Sequence, residues 1–412
     1  MKKARKDNKG RALNLGEYQR TDKTYAYHYT DPFGKRRFIY ANTLQELRKK
    51  EDGLLKNQLD GLKEYSKGES TVNFLVDRYL HMKTNLRPST LTNYKYMYDH
   101  FVRNGFGKKK LTEVKYSDVL YFYNHLVTDL HMKIATLDNI HCVLHPAFQL
   151  AVRDNLIRRN PSDGAMAAVK SGRSHPKTTR HALTLEQQRA FMNYMAESPF
   201  FVNWLDLFTV MLGTGCRIGE ICGLRWDDVD FKEKMISINH GLVYYLYGEE
   251  SKGRKCGFQV SLPKTEAGIR TIPMLPQVEQ ALRNIKEDNK HKPIPEEIDG
   301  MGNFIFIADT GRVFTPRQIN DAIDRIVKNY NKEEAAKAEE EKREPLLLPH
   351  FSCHQLRHTF CTRFCENETN VKVIQSIMGH AEIATTMDIY TEVTEAKKAD
   401  VMMKLAMAVD VF

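Results

Sequence analysis

Four short clusters in the second half of the chain carry side chains suited to phosphodiester chemistry. The first is Gly213-Thr214-Gly215-Cys216-Arg217-Ile218-Gly219-Glu220, where an apolar run ends at glycines and an arginine follows. Apolar neighbours around Arg217 call for a fixed partner, and Glu220 lies three residues on. The second is Pro263-Lys264-Thr265, a lysine in a turn between two β-like segments. The third is Ser352-Cys353-His354-Gln355-Leu356-Arg357-His358, in which His354 and Arg357 share a helix face. The fourth is Met378-Gly379-His380, followed ten residues later by Tyr390. Singly, each has an ordinary structural reading: a salt bridge, a solvated turn, a packed histidine or tyrosine.

Together the residue types make a complete set for phosphoryl transfer. A tyrosine hydroxyl can attack phosphorus and form a covalent intermediate. Two guanidiniums present planar forks to the non-bridging oxygens and help most when negative charge concentrates in the transition state. The histidines can donate hydrogen bonds or help deprotonate the tyrosine. A lysine with a lowered pKa can protonate the departing hydroxyl. No carboxylate cluster suggests a metal, no GxxxxGK[ST] loop suggests ATP, and no cofactor is expected. A zinc reading of His354, His358, Cys361 and Cys365 fails on reach. Their stripe of eleven residues spans roughly 16 Å of helix, too far for one metal to collect, so a packing face is expected.

Charge distribution points to a polyanion partner. The first 180 residues hold 34 Lys and Arg against 18 Asp and Glu, whereas the remainder holds 28 against 34. The length of 412 residues suggests two or three domains. No stretch approaches 18 apolar residues, so no membrane partner is expected. The N-terminal MKKARKDNKGR has no apolar region behind its charges and does not read as a secretory signal. Seven cysteines without a CxxC pair suit a reducing, cytoplasmic compartment.

The elements that must position these groups can be read in order. Residues 1–66 suggest three short strands, Arg11–Arg20, Thr24–Thr30 and Arg37–Tyr40. Turns are expected at Thr21–Lys23 and Asp31–Gly34, and a helix over Leu44–Leu59 capped by Thr43. Tyr25, Tyr27 and Tyr29 alternate and line one strand face, as core or as a nucleic-acid surface. The basic turn residues Arg20, Lys23, Lys35, Arg36 and Arg37 are the stronger candidates for phosphate contacts. Residues 70–162 read as helices over Val72–Lys83, Ser89–Asn104 (capped by Ser89), Lys115–Thr128 and Ile134–Asp154. Arg87, Lys95, Lys108, Lys109 and Lys110 give that bundle a basic surface. Residues 163–181 read as an extended basic linker bearing Lys177 and Arg180.

Residues 182–412 form the last unit. Helices are expected at Leu185–Ala196, Asn203–Gly213, Pro276–Asn289 and Pro316–Tyr330, with a small antiparallel sheet between Met235 and Pro273. An acidic insert, Lys332–Glu344, is a solvated helix or loop, and the rest reads helical. The fold class is therefore mixed but mainly α. It comprises a small three-stranded sheet with a helix, a helical domain and an α+β catalytic domain.

In this order the clusters resemble the tyrosine recombinase (lambda integrase) family. GTGCRIGEICGLRW resembles its first arginine box, HQLRHTF its HxxR box, MGHAEIATTMDIY its histidine-plus-tyrosine box, and the Lys264 turn its β-hairpin lysine. Residues 70–181 resemble the family's helical core-binding (SAM-like) domain and linker. Residues 1–66 are similar to the arm-type DNA-binding domain of integrases from Tn916-type conjugative transposons. The resemblance implies Tyr390 as nucleophile, Arg217 and Arg357 as phosphate clamps, His354 and His380 as the two histidines, Lys264 as general acid and Glu220 in support. It implies a site-specific recombinase of a mobile element, acting through a 3′-phosphotyrosine and a Holliday junction on core-type and arm-type sites in double-stranded DNA. A homotetramer on DNA, an excision factor, a host DNA-bending protein and a bacterial, nucleoid-associated setting follow from it. Val401, Met402, Leu405, Val409 and Phe412 form an apolar stripe that docks on a neighbouring protomer or packs on its own domain. A type IB topoisomerase is the competing enzyme, marked by relaxation without a specific site. A non-cutting DNA-binding accessory protein is the competing class, marked by indifference to Tyr390→Phe.

Overall fold

The computed structural model describes residues 5–30, 36–59, 71–171, 182–247, 255–263, 265–368, 370–389 and 391. Outside these lie the expected turn at 31–34, Lys35, Lys177, Arg180, Lys264, Tyr390 and the C-terminal apolar stripe. The chain divides into two units, Met1–Pro176 and Lys177–Phe412.

The first unit opens with an antiparallel meander of β1 (Glu17–Gln19), β2 (Tyr25–Thr30) and β3 (Arg36–Ala41), followed by α1 (Leu44–Leu59). Alternation does the sorting. Tyr25 pairs with Ala41 and Tyr27 with Ile39, and this face packs on Leu44, Leu47 and Leu54. The tyrosine stripe is thus core. The opposite face carries Tyr18, His28, Phe38 and Tyr40, with His28 directly across from Phe38. Thr43 caps α1 by accepting the Glu46 amide at 3.2 Å. The first strand is shorter than its sequence suggests. Inside the expected strand the chain turns at Leu15 and Gly16, where the Glu17 amide donates to the Asn14 carbonyl at 3.1 Å and the Glu17 carboxylate accepts the Asn14 amide at 2.6 Å.

The helical part comprises α2 (Val72–Met82), α3 (Pro88–Phe101), α4 (Tyr116–Thr128), α5 (Ile134–Arg153) and α6 (Ala165–Lys170) around one apolar core. Two expectations are corrected here. Ser89 is not a cap: Pro88 takes the first helical turn, where its fixed φ fits and its missing N–H is not needed, so Arg87 stands at the cap. The expected linker 163–181 begins with structure, because α6 buries Ala165, Met166 and Val169 in the helical core.

The second unit contains α7 (Leu185–Glu197), α8 (Leu205–Thr214), α9 (Ile218–Gly223), β4 (Val229–Asp230), β5 (Met235–Ile238), β6 (Gly241–Tyr247), β7 (Lys255–Ser261) and β8 (Arg270–Pro273). It continues with α10 (Pro276–Asn289), α11 (Pro316–Glu341), α12 (Cys353–Asn367) and α13 (Val371–Met378), then helical residues 383–389. The β-rich stretch forms two sheets rather than one: β4-β5-β8, and the hairpin β6-β7. The break falls at His240, which is buried and bonds the Gly223 carbonyl through Nε2 at 2.8 Å, tying the start of β6 to the end of α9. The acidic insert does not interrupt α11, which runs unbroken through Glu341 and is anchored where Ala338 is buried. The mainly helical, mixed fold class holds. No helix of the described residues is long and apolar enough to cross a membrane.

Candidate active site

Helix ends build the site. The apolar α8, with Leu207, Phe208, Val210 and Met211 buried, packs on α10 and α12 and stops at Gly215. Gly215 has φ +62°, and a Cβ there would lie 2.3 Å from the Phe360 ring. Two residues on, Arg217 caps α9 and Glu220 sits in that helix's first turn. Near the other end of the chain α13 stops at Gly379, with φ +63°, where a Cβ would crowd Arg270 and the Ala267 carbonyl at about 3 Å. His380 follows directly.

Carbonyls at a helix C-terminus lack intrahelical partners and carry the negative end of the dipole. Guanidiniums fill both ends here. Arg357, from the second turn of α12, donates through Nη1 to Gly215 (2.7 Å) and through Nη2 to Met378 (2.6 Å). Arg217 donates through Nη2 to Gly379 at 2.9 Å and through Nη1 to Glu220 at 2.8 Å. The Glu220 carboxylate also accepts the Arg217 amide at 2.9 Å. Arg357 is buried, while the Arg217 side chain remains 43% exposed and open to a ligand.

Electrostatics follow from this crowding. Burial would raise the Glu220 carboxyl, but the bonds and charges of Arg270 and Arg217 hold it at about 2. Burial and the neighbouring Arg217 bring Arg357 down to about 10, still charged at neutral pH. Burial, with Arg357, Arg217 and Arg270 adding to it, pushes His380 down to about 4, so its imidazole is neutral at pH 7. His380 Nδ1 lies 2.9 Å from the Thr386 hydroxyl, tying the second histidine to residues 383–389, which lead to Tyr390. His354 is exposed in the first turn of α12, near enough to His380 to act on its charge.

Of the expected catalytic set, the fold brings together Arg217, Glu220, Arg357 and His380, with His354 beside them. Lys264 and Tyr390 lie outside the described residues, bracketed by Pro263 and Thr265 and by Ile389 and Thr391. Arg270 was missed by motif reading. Its strand pattern offered a signal: Arg270 and Ile272 share a face of β8, and Ile272 is core, so the arginine points inward and needs an acid. On α12, Cys361 and Cys365 are buried in a small apolar cluster with Ile374 and Met378.

The expected DNA-contact residues are dispersed. Arg20 pairs with Asp22 at 3.3 Å and stacks over Tyr40 at 5.2 Å. Arg36 stacks over the exposed Phe38 at 5.9 Å, Lys23 sits at φ +67° in its turn, and Arg37 lies opposite Tyr29. Arg87 stands at the start of α3, and Lys95 is exposed on that helix. Lys108 is exposed, Lys109 is bound to Asp118 at 2.6 Å, and Lys110 lies 3.6 Å from Glu113. The outer sheet face of Tyr18, His28, Phe38 and Tyr40 is also absent from the sequence reading, since only strand register separates it from the tyrosine stripe behind it.

Comparison with known proteins agrees over most of the chain. Residues 181–397 match the phage integrase family, residues 1–58 the DNA binding domain of tn916 integrase, and residues 71–127 the N-terminal SAM-like domain of phage integrases. The transposase from transposon Tn916 of Enterococcus faecalis is 30% identical over 407 residues, 96% of this chain and 95% of that protein. The Tn1549 transposon integrase, solved in complex with a circular intermediate DNA, is 28% identical with a TM-score of 0.67, covering 81% of this chain and 100% of that one. A lambda integrase dimer bound to a COC′ core site shares the fold at 18% identity and a TM-score of 0.51, covering 92% and 95%. With the arginine boxes joined at two helix ends and relatives matching throughout, the chain belongs to the phage integrase family as a tyrosine recombinase of the Tn916 type, an enzyme of site-specific DNA integration and excision.

Proposed function

We propose that the site cleaves DNA through Tyr390. The Tyr390 oxygen attacks the scissile phosphorus as its proton passes to a histidine of the pair His354 and His380. The bond from phosphorus to the 5′ oxygen breaks, and Lys264 protonates that oxygen. Arg217 and Arg357 hold the non-bridging oxygens, and Glu220 keeps Arg217 in place. The 3′-phosphotyrosine is then attacked by a 5′ hydroxyl of the partner strand, which restores Tyr390 and forms the Holliday junction. The convergence of Arg217 and Arg357 on the paired ends of α8 and α13, beside neutral His380, carries this reading.

The domain division follows the same logic. Residues 1–66 bind arm-type sites, 70–162 bind core-type sites, 163–181 connect, and 182–412 cut. The α6 helix gives the core-binding part a longer C-terminal border, at Lys170. The outer face of the N-terminal sheet, where Arg20 and Arg36 flank Phe38 and Tyr40, suits a duplex groove and its phosphates better than the turns alone. The working form is a homotetramer on two core sites, assisted by an excision factor and a host DNA-bending protein. It acts in the bacterial cytoplasm on nucleoid DNA.

Adduct trapping tests the reading. A nicked duplex from the ends of the element that encodes the protein is incubated with it and run on a denaturing gel. A shifted band whose linked residue maps to Tyr390 is expected. Tight binding without any adduct, across core duplexes that include the element's own ends, would promote the non-cutting binding protein instead.

A further inference from the structure

Arg270 lies on β8, outside every box that marks the site, and its side chain is only 4% exposed. It cannot reach a DNA phosphate. Yet its guanidinium is fully committed to groups that touch the site. Nη1 and Nη2 grip the Glu220 carboxylate at 3.1 and 2.7 Å, one oxygen each. Nε donates to the Ile377 carbonyl at the end of α13 (2.7 Å), and Nη1 also reaches the Gly268 carbonyl at 3.4 Å. The same two carboxylate oxygens receive the side chain and the amide of Arg217. The Arg270 fork therefore meets one guanidinium N–H and the backbone amide of Arg217 across a single carboxylate.

We propose that Arg270 is a positioning residue for strand cleavage: it fixes the Glu220 carboxylate so that Glu220 orients Arg217, and it pins the end of α13 from which His380 follows. This deepens the reading of Arg217 and His380 as catalytic groups and rests on it. A carboxylate held by two parallel N–H bonds cannot rotate about its last torsion, so the Arg217 guanidinium has one orientation. A lysine at position 270 keeps the charge and loses the fork. The segment that carries Lys264 also ends at this strand, and Gly268, bonded to Thr265 through its amide, is held at its carbonyl by Arg270.

The arrangement has an acid–base consequence. The groups facing Glu220 are Arg217 from α9, Arg270 from β8, Cys216 from the α8–α9 link and Arg357 from α12; beyond them His380 faces the arginines, with His354 acting on His380. Burial opposes the ionised carboxyl, and Arg270 is the largest influence keeping it ionised. With the fork weakened, Glu220 takes up a proton at higher pH and no longer accepts both bonds from Arg217. Cleavage then becomes more acid-sensitive than that of the parent.

The test is single-turnover cleavage of a nicked core duplex by the full chain between pH 6 and pH 8.5. Arg270→Lys is expected to bind the duplex like the parent and to cleave ~10- to 100-fold more slowly at pH 6, with a smaller loss at pH 8, as for a displaced catalytic group. Glu220→Gln added to Arg270→Lys should remove the pH dependence in excess of the parent's, since an amide takes no proton in this range. If Arg270→Lys does not fold, Arg270→Met with Glu220→Gln removes the pair together, leaves no unpaired buried charge, and should fold but cleave slowly. Parent-like rates and pH profile in the folded Arg270→Lys protein, or parent-like cleavage by the folded double variant, would overturn the proposal. So would a pH-independent loss that tracks the fraction unfolded. Tyr390→Phe and Arg217→Ala run alongside: if these also cleave like the parent, the catalytic assignment fails, not the role of Arg270.

Discussion

Arginines stand at both candidate phosphate surfaces of this chain, and they are held in opposite ways. In the second unit Arg217 is tied to a helix-end carbonyl and to Glu220, and the buried Arg357 is tied to two helix-end carbonyls. On the N-terminal sheet Arg20 and Arg36 are surface residues resting on the rings of Tyr40 and Phe38. A guanidinium fixed before DNA arrives costs no reorganisation when charge develops, which favours rate. A guanidinium free to adapt follows a backbone, which favours salt-sensitive affinity. The two regions should therefore fail differently when altered.

The largest expected effect separates chemistry from binding altogether. Tyr390→Phe should give no covalent adduct on denaturing gels while retaining the parent's affinity in a mobility-shift titration. Next come the fixed arginines: Arg357→Ala or Arg217→Ala should lower the single-turnover cleavage rate ~10²–10³-fold with little change in DNA affinity. A loss of affinity equal to the loss of rate would erase the contrast between the regions. The adaptable arginines should show the reverse. Arg20→Ala with Arg36→Ala should leave cleavage of a short core duplex intact. Each change should weaken arm-site binding and reduce the slope of log affinity against log salt by about 0.9 per lost contact, read by titration at several salt concentrations.

The smallest effect concerns how each region treats a buried acid. Glu220 is flanked by arginines and stays ionised, but Glu51 on α1 packs beside the fully buried Glu17, with one of its own oxygens unpartnered. Burial and the Glu17 carboxylate push Glu51 up to about 7, against the pull of Arg48. Its folded pKa lies above its unfolded one, so the folded state binds the extra proton and the sheet loses stability as pH rises from about 5 to 8. Glu51→Gln should flatten that dependence and stabilise the sheet at pH 8 by on the order of 1–2 kcal/mol. Hydrogen exchange of the β2 and β3 amides, corrected for intrinsic rates, would report it. A parent sheet equally protected at both pH values would show that Glu51 is ionised throughout.

Much of this was legible from residue order. The helix Leu44–Leu59 and its Thr43 cap follow from spacing alone, whereas spacing puts Tyr25, Tyr27 and Tyr29 on one strand face and leaves open whether that face is core or nucleic-acid surface. The boxes around Arg217, His354 and His380 were visible because their residue types are unusual for their surroundings. What escaped were features set by non-local contact. Arg270 is an ordinary strand residue until Glu220, fifty positions earlier, is brought to it. The outer sheet face shows itself only once strand register separates His28 and Phe38 from Tyr27 and Ile39. The split into two sheets depends on His240 reaching back to α9, and α6 looked like linker because its six residues are too few to show periodicity.

The Glu220 ion pair also sets the arithmetic of charge at the centre. Among the described residues there, Arg217, Arg270 and Arg357 are cationic, Glu220 is anionic and His380 is neutral at pH 7. Arg270 and Glu220 cancel, leaving a surplus of two positive charges on Arg217 and Arg357. A phosphodiester at rest carries one negative charge, whereas its five-coordinate form carries two. Under the proposed mechanism these two charges match the fleeting species rather than the stable one, so the described arginines would favour the former in whole charges before any atom of DNA is aligned.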